Sequence, residues 1–282
     1  MKILIQRRVN RIIRKLHQVA EIAGVRAAPR RVVFMHIPKC AGSTIISAAK
    51  SYLGSQRSGK VVLLDDIMPG QKRREQIARA KDALFVGGHF GFETLEQVRE
   101  DAYVFTVLRD PYERLRSAFG YLTALEKKNP LPEHLKHVSV ETFLSSRNDA
   151  VLQWSDNMIA RTMAQTCDRG RVRFPDADAM VATAIKNLKS FDHVGFVDTL
   201  DQDMLTIAQA TRIPTFAKLG HQNSTKSHLG RNTGPEAIAP LSDRMRTMAF
   251  HLVRGDLRVY EAALRSWGRA AQIAGASLAR AT

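Results

Sequence analysis

Residues 32 to 44, VVFMHIPKCAGST, bring a lysine, a glycine and two hydroxyl side chains together at one predicted strand-to-helix junction. The β-branched run predicts a strand, and Ser-Thr followed by apolar residues predicts a helix start. The first N–H groups of a helix lack partners, and its dipole adds positive potential there. Gly42 lets a ligand approach the backbone, and Ser43 and Thr44 offer hydroxyls. With the charge of Lys39, the junction predicts a phosphate site.

The order of these residues differs from that of a Walker loop, in which the lysine follows the second glycine. Here Lys39 precedes Gly42, and no strand ending in a carboxylate is plainly placed to hold magnesium. The pattern therefore argues against a nucleoside triphosphatase. A nucleotide kinase with related phosphate chemistry is the alternative enzyme class.

His89 is the predicted general base. The segment 83–90 predicts a strand that ends in a Gly-Gly turn and His89, and open parallel sheets bind ligands at the carboxyl ends of their strands. An unperturbed imidazole pKa of about 6.5 suits removal of a proton from a hydroxyl group. Glu93, four residues later, is the competing base.

The segments that position these groups alternate between strand and helix patterns, which predicts an α/β fold with a central, mainly parallel five-stranded sheet. After the first strand, a second buried strand is predicted at 60–66, and further strands are predicted at 83–90, 103–108 and 193–198. Helices are predicted at 43–54, 71–81, from Pro111 past Tyr121, and at 140–147, 154–165, 176–190, 199–211 and from 241 onward. Segments 128–139 and 214–238 are predicted loops.

The charge of the chain favours an anionic partner, because the net charge is +16 and the pI is about 10.3. Residues 1 to 31 supply +8 of this charge. Apolar residues at helical spacing predict that residues 1–28 form a basic amphipathic helix ahead of one domain at 29–282. This helix either contacts an anionic membrane or acidic polymer, or packs its apolar stripe on the domain.

Several classes of protein are disfavoured. Two cysteines, Cys40 and Cys167, give neither a disulfide framework nor a zinc pattern, so we expect a cytoplasmic protein, peripheral at the membrane. No apolar run reaches the ~18 residues of a membrane span. A basic nucleic-acid-binding or membrane-binding protein is the alternative outside enzymes. Aromatic content of 7% and the lack of an RNA-binding signature argue against nucleic acid.

The first junction and the run VFTVLRDPYERLRSAFGYL at 104–122 together resemble sulfotransferases that use 3′-phosphoadenosine 5′-phosphosulfate (PAPS). The resemblance is to the branch with HIPK-x-x-G-[ST] starts, which includes uronyl 2-O-sulfotransferases, and covers most of residues 31–265. It implies a P-loop-like three-layer fold. It also implies in-line transfer of a sulfuryl group from PAPS to an acceptor hydroxyl, with 3′-phosphoadenosine 5′-phosphate (PAP) as product and without a metal.

The resemblance assigns roles to individual residues. The family's first loop binds the 5′-phosphosulfate, which implies nucleotide contacts for Lys39, Cys40, Ala41, Gly42, Ser43 and Thr44. Cys40 and Ala41 stand where the family usually has Thr and Gly. The family binds the 3′-phosphate through an arginine at a strand end and a serine on the next helix, here Arg109 and Ser117. His89 and Lys39 are the implied catalytic residues.

On the acceptor side, SDNMIAR at 155–161 resembles a family segment near the acceptor, which implies substrate contacts for Asn157 and Arg161 beside Glu93. A helix cap with a solvated arginine is the alternative for this segment. Residues 221–232 occupy the place where the family closes over the nucleotide. The implied acceptor is a carbohydrate hydroxyl on a glycan or glycolipid, while a small hydroxyl compound stays open.

Overall fold

The computed structural model describes residues 30–53, 61–68, 70–126, 139–218 and 241–268. The predicted helix at 1–28 and the predicted nucleotide-closing segment 221–232 lie outside the described residues. None of the helices in the described ranges combines the length and hydropathy that crossing a membrane requires.

Five parallel strands form the central sheet, in the spatial order β2-β3-β1-β4-β5. They are β1 Val32–Met35, β2 Val61–Asp65, β3 Phe85–His89, β4 Tyr103–Leu108 and β5 His193–Phe196. The strand β1 has β3 on one side and β4 on the other, so the chain changes its direction across the sheet at β1. Open parallel sheets bind ligands outside the carboxyl ends of the strands at such a position. The predicted five-stranded sheet is confirmed.

Helices cover both faces of the sheet, as the strand sequences require. Along β1, Val32 and Phe34 enter one buried cluster while Val33 and Met35 enter another, following the two-residue period of a strand. One face packs against α1 and α9, and the other against α2, α3, α7, α8 and α10. Parallel sheets are normally buried on both faces in this way. The predicted three layers are therefore present.

The helices are numbered in chain order. They are α1 Gly42–Leu53, α2 Gly70–Ala80, α3 Phe92–Val98, α4 Pro111–Glu126, α5 Val140–Ser145, α6 Asp149–Ser155, α7 Met158–Ala164, α8 Ala177–Asn187, α9 Leu200–Thr211 and α10 Asp243–Trp267. The predicted start of α4 is confirmed, because Asp110 Oδ1 accepts hydrogen bonds from the N–H groups of Tyr112 at 2.9 Å and Glu113 at 3.0 Å.

Two strand predictions need correction. The second strand was expected to be buried, but β2 lies at the edge of the sheet and only Leu64 within it is buried. The third strand was expected to end in a Gly-Gly turn, but Gly87 and Gly88 lie inside β3. Gly88 has a φ of 133°, and a Cβ there would lie 2.1 Å from the Leu64 carbonyl oxygen. Gly88 therefore allows the close approach of β2, while a Cβ at Gly87 would lie 2.7 Å from the Phe85 ring.

The predicted helix at 154–165 is two helices, α6 and α7. Asn157 interrupts them with a left-handed backbone at φ 41°. The helix α3, directly after the site edge, has no counterpart among the predictions, since its seven residues are too few to show a clear helical period.

Candidate functional site

Three predicted residues meet at the carboxyl ends of three adjacent strands. His89 is the last residue of β3, Lys39 lies in the loop after β1, and Arg109 directly follows β4. The strand pairing brings them close, because β1 pairs with β3 on one side and with β4 on the other. The sheet order therefore places a cation between an imidazole and a guanidinium.

The loop from β1 to α1 has the backbone shape of an anion cradle. Lys39 and Ala41 adopt left-handed conformations, with φ of 71° and 60°. Within the described residues, nothing accepts a hydrogen bond from the N–H groups of Gly42, Ser43 and Thr44. Such alternation of backbone handedness before a helix start turns several N–H groups toward one point.

Thr44 adds a second sign of a missing partner. Its hydroxyl oxygen is buried, yet no described residue forms a hydrogen bond with it. A buried hydroxyl without a partner costs free energy, about 1–3 kcal/mol, and native structures usually satisfy such groups. The unpaired hydroxyl and the free N–H groups lie in the first turn of α1, where a phosphate would satisfy them.

The buried imidazole of His36 supports this loop. The ring stacks on Phe34 at a centroid distance of 5.5 Å and lies 4.7 Å from the ring of His89. A Cβ built on Gly42 would lie 2.1 Å from His36 ring atoms, so the glycine is needed for packing on His36. Burial, followed by the neighbouring His89 and Lys39, holds the pKa of His36 well below 6.5. A neutral His36 therefore connects the loop to the predicted base.

We expect Gly42→Ala to abolish tight nucleotide binding by displacing His36 and the start of α1. Overpacking of this kind costs about 1–3 kcal/mol of stability. Binding of PAP by calorimetry and unfolding in urea test the expectation. Gly70→Ala in α2 is the matched control, since its Cβ would have no described atom nearer than 4.0 Å. Unchanged PAP affinity in Gly42→Ala would contradict the role assigned to this contact.

The ammonium group of Lys39 lies over an aromatic ring. Its Nζ is 4.2 Å from the ring centroid of Tyr121 in α4, which is a favourable cation–π distance. Burial lowers the pKa of Lys39 to about 8, and the charge of Arg109 acts in the same direction. A partly desolvated cation of this kind is ready to be stabilised by an incoming anion.

Hydrogen bonds from outside β3 also fix the backbone of His89. Its carbonyl oxygen accepts hydrogen bonds from the Asp66 N–H at 2.9 Å and the Cys167 thiol at 2.9 Å. Burial lowers the pKa of His89 below 6.5, with Asp65 opposing and Lys39 reinforcing the shift. The imidazole is therefore neutral near pH 7, the form that can accept a proton.

Arg109 and Ser117 are placed on the other side of Lys39. Arg109 lies 3.5 Å from Glu113 through one guanidinium nitrogen, and its charge also acts on Asp198 beyond the end of β5. Ser117 is half-buried, one helical turn beyond Glu113. The weak ion pair leaves the guanidinium fork able to bind phosphate oxygens in a bidentate manner.

The side chain of Cys40 lies in the core rather than at the loop surface. The residue is fully buried, its N–H donates to the Ile37 carbonyl at 3.2 Å, and burial raises the pKa of its thiol to about 12. The prediction that Cys40 contacts the nucleotide is not supported by this geometry. The replacement of the family's usual Thr is therefore a packing change.

Arg161, predicted to bind substrate, is instead enclosed in the protein. Its guanidinium donates to the backbone carbonyls of Asp156 at 2.9 Å, Cys167 and Gln153. Only 2% of the residue is exposed. Because its donors are directed at backbone carbonyls, Arg161 connects α6, α7 and the segment after α7. The structure contradicts the predicted substrate contact.

Asn157 also has an internal role in place of the predicted substrate contact. Its amide oxygen accepts hydrogen bonds from the N–H groups of Gly255 at 2.8 Å and Asp256 at 3.3 Å, in the middle of α10. Its own N–H donates to the Leu252 carbonyl at 2.8 Å. The residue therefore joins the junction of α6 and α7 to the middle of α10.

Glu93 is already engaged near His89. One carboxylate oxygen accepts a hydrogen bond from Gln165 at 2.8 Å, and the other lies 3.2 Å from Arg171. Both carboxylate oxygens are thus engaged by other side chains, so His89 is the better candidate. Glu93 instead holds Arg171 at the edge of the site.

The sequence did not predict a role in the site for Tyr121 or Asp198. Tyr121 was assigned no role, although it lies one helical turn after Ser117 on α4. Asp198 was predicted only as the end of a strand, although it follows β5 and therefore reaches the same sheet edge as Arg109. Strand-end position was the available signal for Asp198, whereas the contact of Tyr121 depends on the fold.

The site combines donors suited to a phosphate-like anion with a neutral histidine at the edge of an α/β sheet. A family model described as "Sulfotransferase family" matches residues 25–263, and the chain belongs to this family. It is therefore a sulfotransferase. Comparison with curated proteins finds no match.

A solved structure of mouse sulfotransferase SULT7A1 complexed with PAP is similar to this chain at 15% sequence identity, with a TM-score of 0.34. The match covers 83% of this chain and 75% of the mouse chain. At that level of similarity it carries no weight for function.

Proposed function

We propose that the protein transfers a sulfuryl group from PAPS to an acceptor hydroxyl, with His89 as general base. The observation that carries the proposal is the placement of His89, Lys39 and Arg109 at the ends of the adjacent strands β3, β1 and β4. PAPS has a phosphosulfate at one end and a 3′-phosphate at the other. The site offers a separate cationic position for each.

The loop between β1 and α1 suits the phosphosulfate. The N–H groups of Gly42, Ser43 and Thr44 and the Thr44 hydroxyl, which have no hydrogen-bond partner among the described residues, belong to this loop and the first turn of α1 together with the Lys39 ammonium. Donors fixed before reaction stabilise developing charge without reorganisation, which makes such groups effective. Arg109 and Ser117 would then hold the 3′-phosphate.

His89 supplies the base on the acceptor side. It would take the hydroxyl proton as the acceptor oxygen bonds to sulfur and the bond from sulfur to the phosphate oxygen breaks. PAP leaves with that electron pair, and Lys39 balances the charge on its phosphate. Among the described residues no group of three or more His, Cys, Asp and Glu side chains is placed to hold a metal ion.

We further propose a carbohydrate acceptor, on a glycan or glycolipid. Support comes from the basic character of the chain and from the arginine-containing turn Arg169–Arg171, which adjoins the His89 side of the site. In that turn Arg171 contacts the Asp66 carbonyl at 3.4 Å and Glu93 at 3.2 Å. Residues 1–28, with their excess of positive charge, would provide peripheral membrane contact in the cytoplasm.

Incubation with sulfur-labelled PAPS and a panel of glycans, glycolipids and small hydroxyl compounds tests the function. Mass spectrometry is expected to find labelled sulfate ester on an acceptor and one PAP released for each ester. Ester formation confined to non-carbohydrate compounds would overturn the acceptor class alone. Labelling by an ATP phosphoryl group in place of PAPS would overturn the proposed reaction.

The pH dependence of kcat/KM for PAPS is expected to be bell-shaped. The ascending limb lies below pH 6.5, because the lowered pKa of His89 keeps the base neutral to lower pH. The descending limb lies near pH 8, where the free enzyme's Lys39 loses its proton. Lys39→Arg should move only the descending limb upward, since Arg stays protonated. A flat profile between pH 7 and 9 would contradict the role of Lys39.

A further inference from the structure

Asp66 lies one residue beyond β2, beside the end of β3. The register pairs Asp65 with His89, and the next N–H, that of Asp66, donates to the His89 carbonyl at 2.9 Å. The Asp66 carboxylate turns inward, and 2% of the residue is exposed. A buried carboxylate needs donors to offset its desolvation, so its partners define what it holds in place.

In the part of the chain that the structure describes, four donors from different segments bind the carboxylate. Its Oδ2 accepts from the Gly91 N–H at 2.9 Å and the Thr166 hydroxyl at 2.9 Å. Its Oδ1 accepts from the Thr94 hydroxyl at 2.7 Å and the Arg73 guanidinium at 3.2 Å. These donors come from the turn after β3, the segment after α7, and the helices α3 and α2.

Two of these bonds lie on either side of His89 in the chain. The backbone of Asp66 holds the carbonyl of His89, and its side chain holds the N–H of Gly91, two residues on. Gly91 is pressed against Thr166, because a Cβ at Gly91 would lie 2.4 Å from the Thr166 Cα. The segment from His89 to Gly91 is therefore fixed at both ends by one residue.

We propose that Asp66 is a positioning residue for the reaction, which sets the backbone that aims His89 at the acceptor hydroxyl. The inference rests on the proposed function, in which His89 is the base. Asp66 acts through the hydrogen bonds on both sides of His89, without contact with substrate. A displacement of about 1 Å at a catalytic group can cost about 10²-fold in rate.

Asp66→Asn is the first test, because an amide keeps the shape but cannot accept bonds at both atoms. We expect kcat to fall by about 10- to 100-fold, within the range that misplacement produces. The Kd for PAP should change less than twofold, about 0.4 kcal/mol, because the nucleotide loop follows another strand. Turnover is measured as PAP release with the acceptor found by the labelled panel.

Combination with His89→Ala separates positioning from general destabilisation. If Asp66 acts through His89, Asp66→Asn should lower kcat further by less than about twofold when His89 is already absent. Equal losses in the wild-type and His89→Ala backgrounds would overturn the proposal. A wild-type kcat in His89→Ala would instead overturn the assignment of His89 as the base. Failure of the wild-type protein to bind PAP would overturn the proposed nucleotide.

A second variant and a matched control guard against misfolding. Thr166→Val removes a single donor to Asp66 and should raise amide hydrogen exchange at Gly91 with a smaller loss of kcat; unchanged exchange and kcat would count against the proposal.

Asp203→Asn is the matched control for Asp66→Asn. Asp203 accepts bonds from His193 at 3.0 Å, the Phe196 N–H at 2.9 Å and Thr199 at 2.8 Å, beside β5. Asp203→Asn should leave kcat and amide exchange at Gly91 unchanged. Equal effects of Asp203→Asn and Asp66→Asn would overturn a specific role of Asp66.

Discussion

Lys39→Ala is expected to lower kcat by about 10²- to 10³-fold, the usual cost of removing one preorganised charge-stabilising donor. The Kd for PAP should rise by less than about tenfold, or about 1.4 kcal/mol, because the α1 N–H groups and Arg109 still hold the phosphates. The loss falls mainly on kcat because negative charge develops on the bridging phosphate oxygen only as its bond to sulfur breaks. Steady-state kinetics with PAPS and calorimetry with PAP separate the two effects.

Lys50→Ala is the control for Lys39→Ala. Lys50 is an exposed lysine in the last turn of α1, so its loss changes the net charge equally without touching the loop. The control should retain wild-type kcat. A variant lacking Lys39 that lost affinity for PAP in proportion to kcat would show that the lysine only binds the nucleotide.

His89→Ala is expected to lower kcat by about 10²- to 10⁴-fold, the range for removal of a positioned general base. The ascending limb of the pH profile should disappear with it, because no other group in the proposed mechanism takes the hydroxyl proton. The Kd for PAP should stay near the wild-type value, since His89 lies on the acceptor side of Lys39. The measurement is kcat as a function of pH.

His251→Ala provides the comparison for His89→Ala. His251 is an exposed histidine on α10, and its removal should leave both kcat and the pH profile unchanged. Wild-type turnover in His89→Ala would make the base assignment wrong. In that case Glu93 would be the next candidate, and Glu93→Gln would be expected to abolish the reaction.

The sequence allowed prediction of features that depend on local pattern. The β1 strand, the loop with Lys39 and Gly42, and the capped start of α4 each follow from residue order within about ten positions. The alternation of strands and helices in the sequence also predicts that His89 and Arg109 lie at one sheet edge. These local signals agree with one another, which is why they predicted the architecture.

Residues whose role depends on distant partners were predicted poorly. Asn157 and Arg161 resembled an acceptor-binding segment, but Asn157 binds α10 near Gly255 and Arg161 binds three backbone carbonyls. Polar side chains at a helix junction look the same in sequence whether they face solvent or the interior. Asp66 was missed for the same reason, because its donors Thr94 and Thr166 are separated from it by 28 and 100 residues.

The position of Gly42 shows how a correct prediction can have an additional cause. Sequence order suggested that this glycine admits a ligand to the backbone. The structure adds that it admits the ring of His36, which in turn contacts His89. The ring of His36 thus connects the loop between β1 and α1 to His89, the proposed base.

PAPS is the sulfuryl donor proposed for this site, and calorimetric titration with its product PAP measures whether the site binds that nucleotide. We expect one PAP bound per chain, unaffected by removal of magnesium with EDTA. The Kd should rise by about tenfold or more in Arg109→Ala, since charge-assisted hydrogen bonds of this kind contribute about 1.5–3 kcal/mol. Failure of the wild-type protein to bind PAP, together with magnesium-dependent binding of ATP, would contradict the proposal that this site binds PAPS.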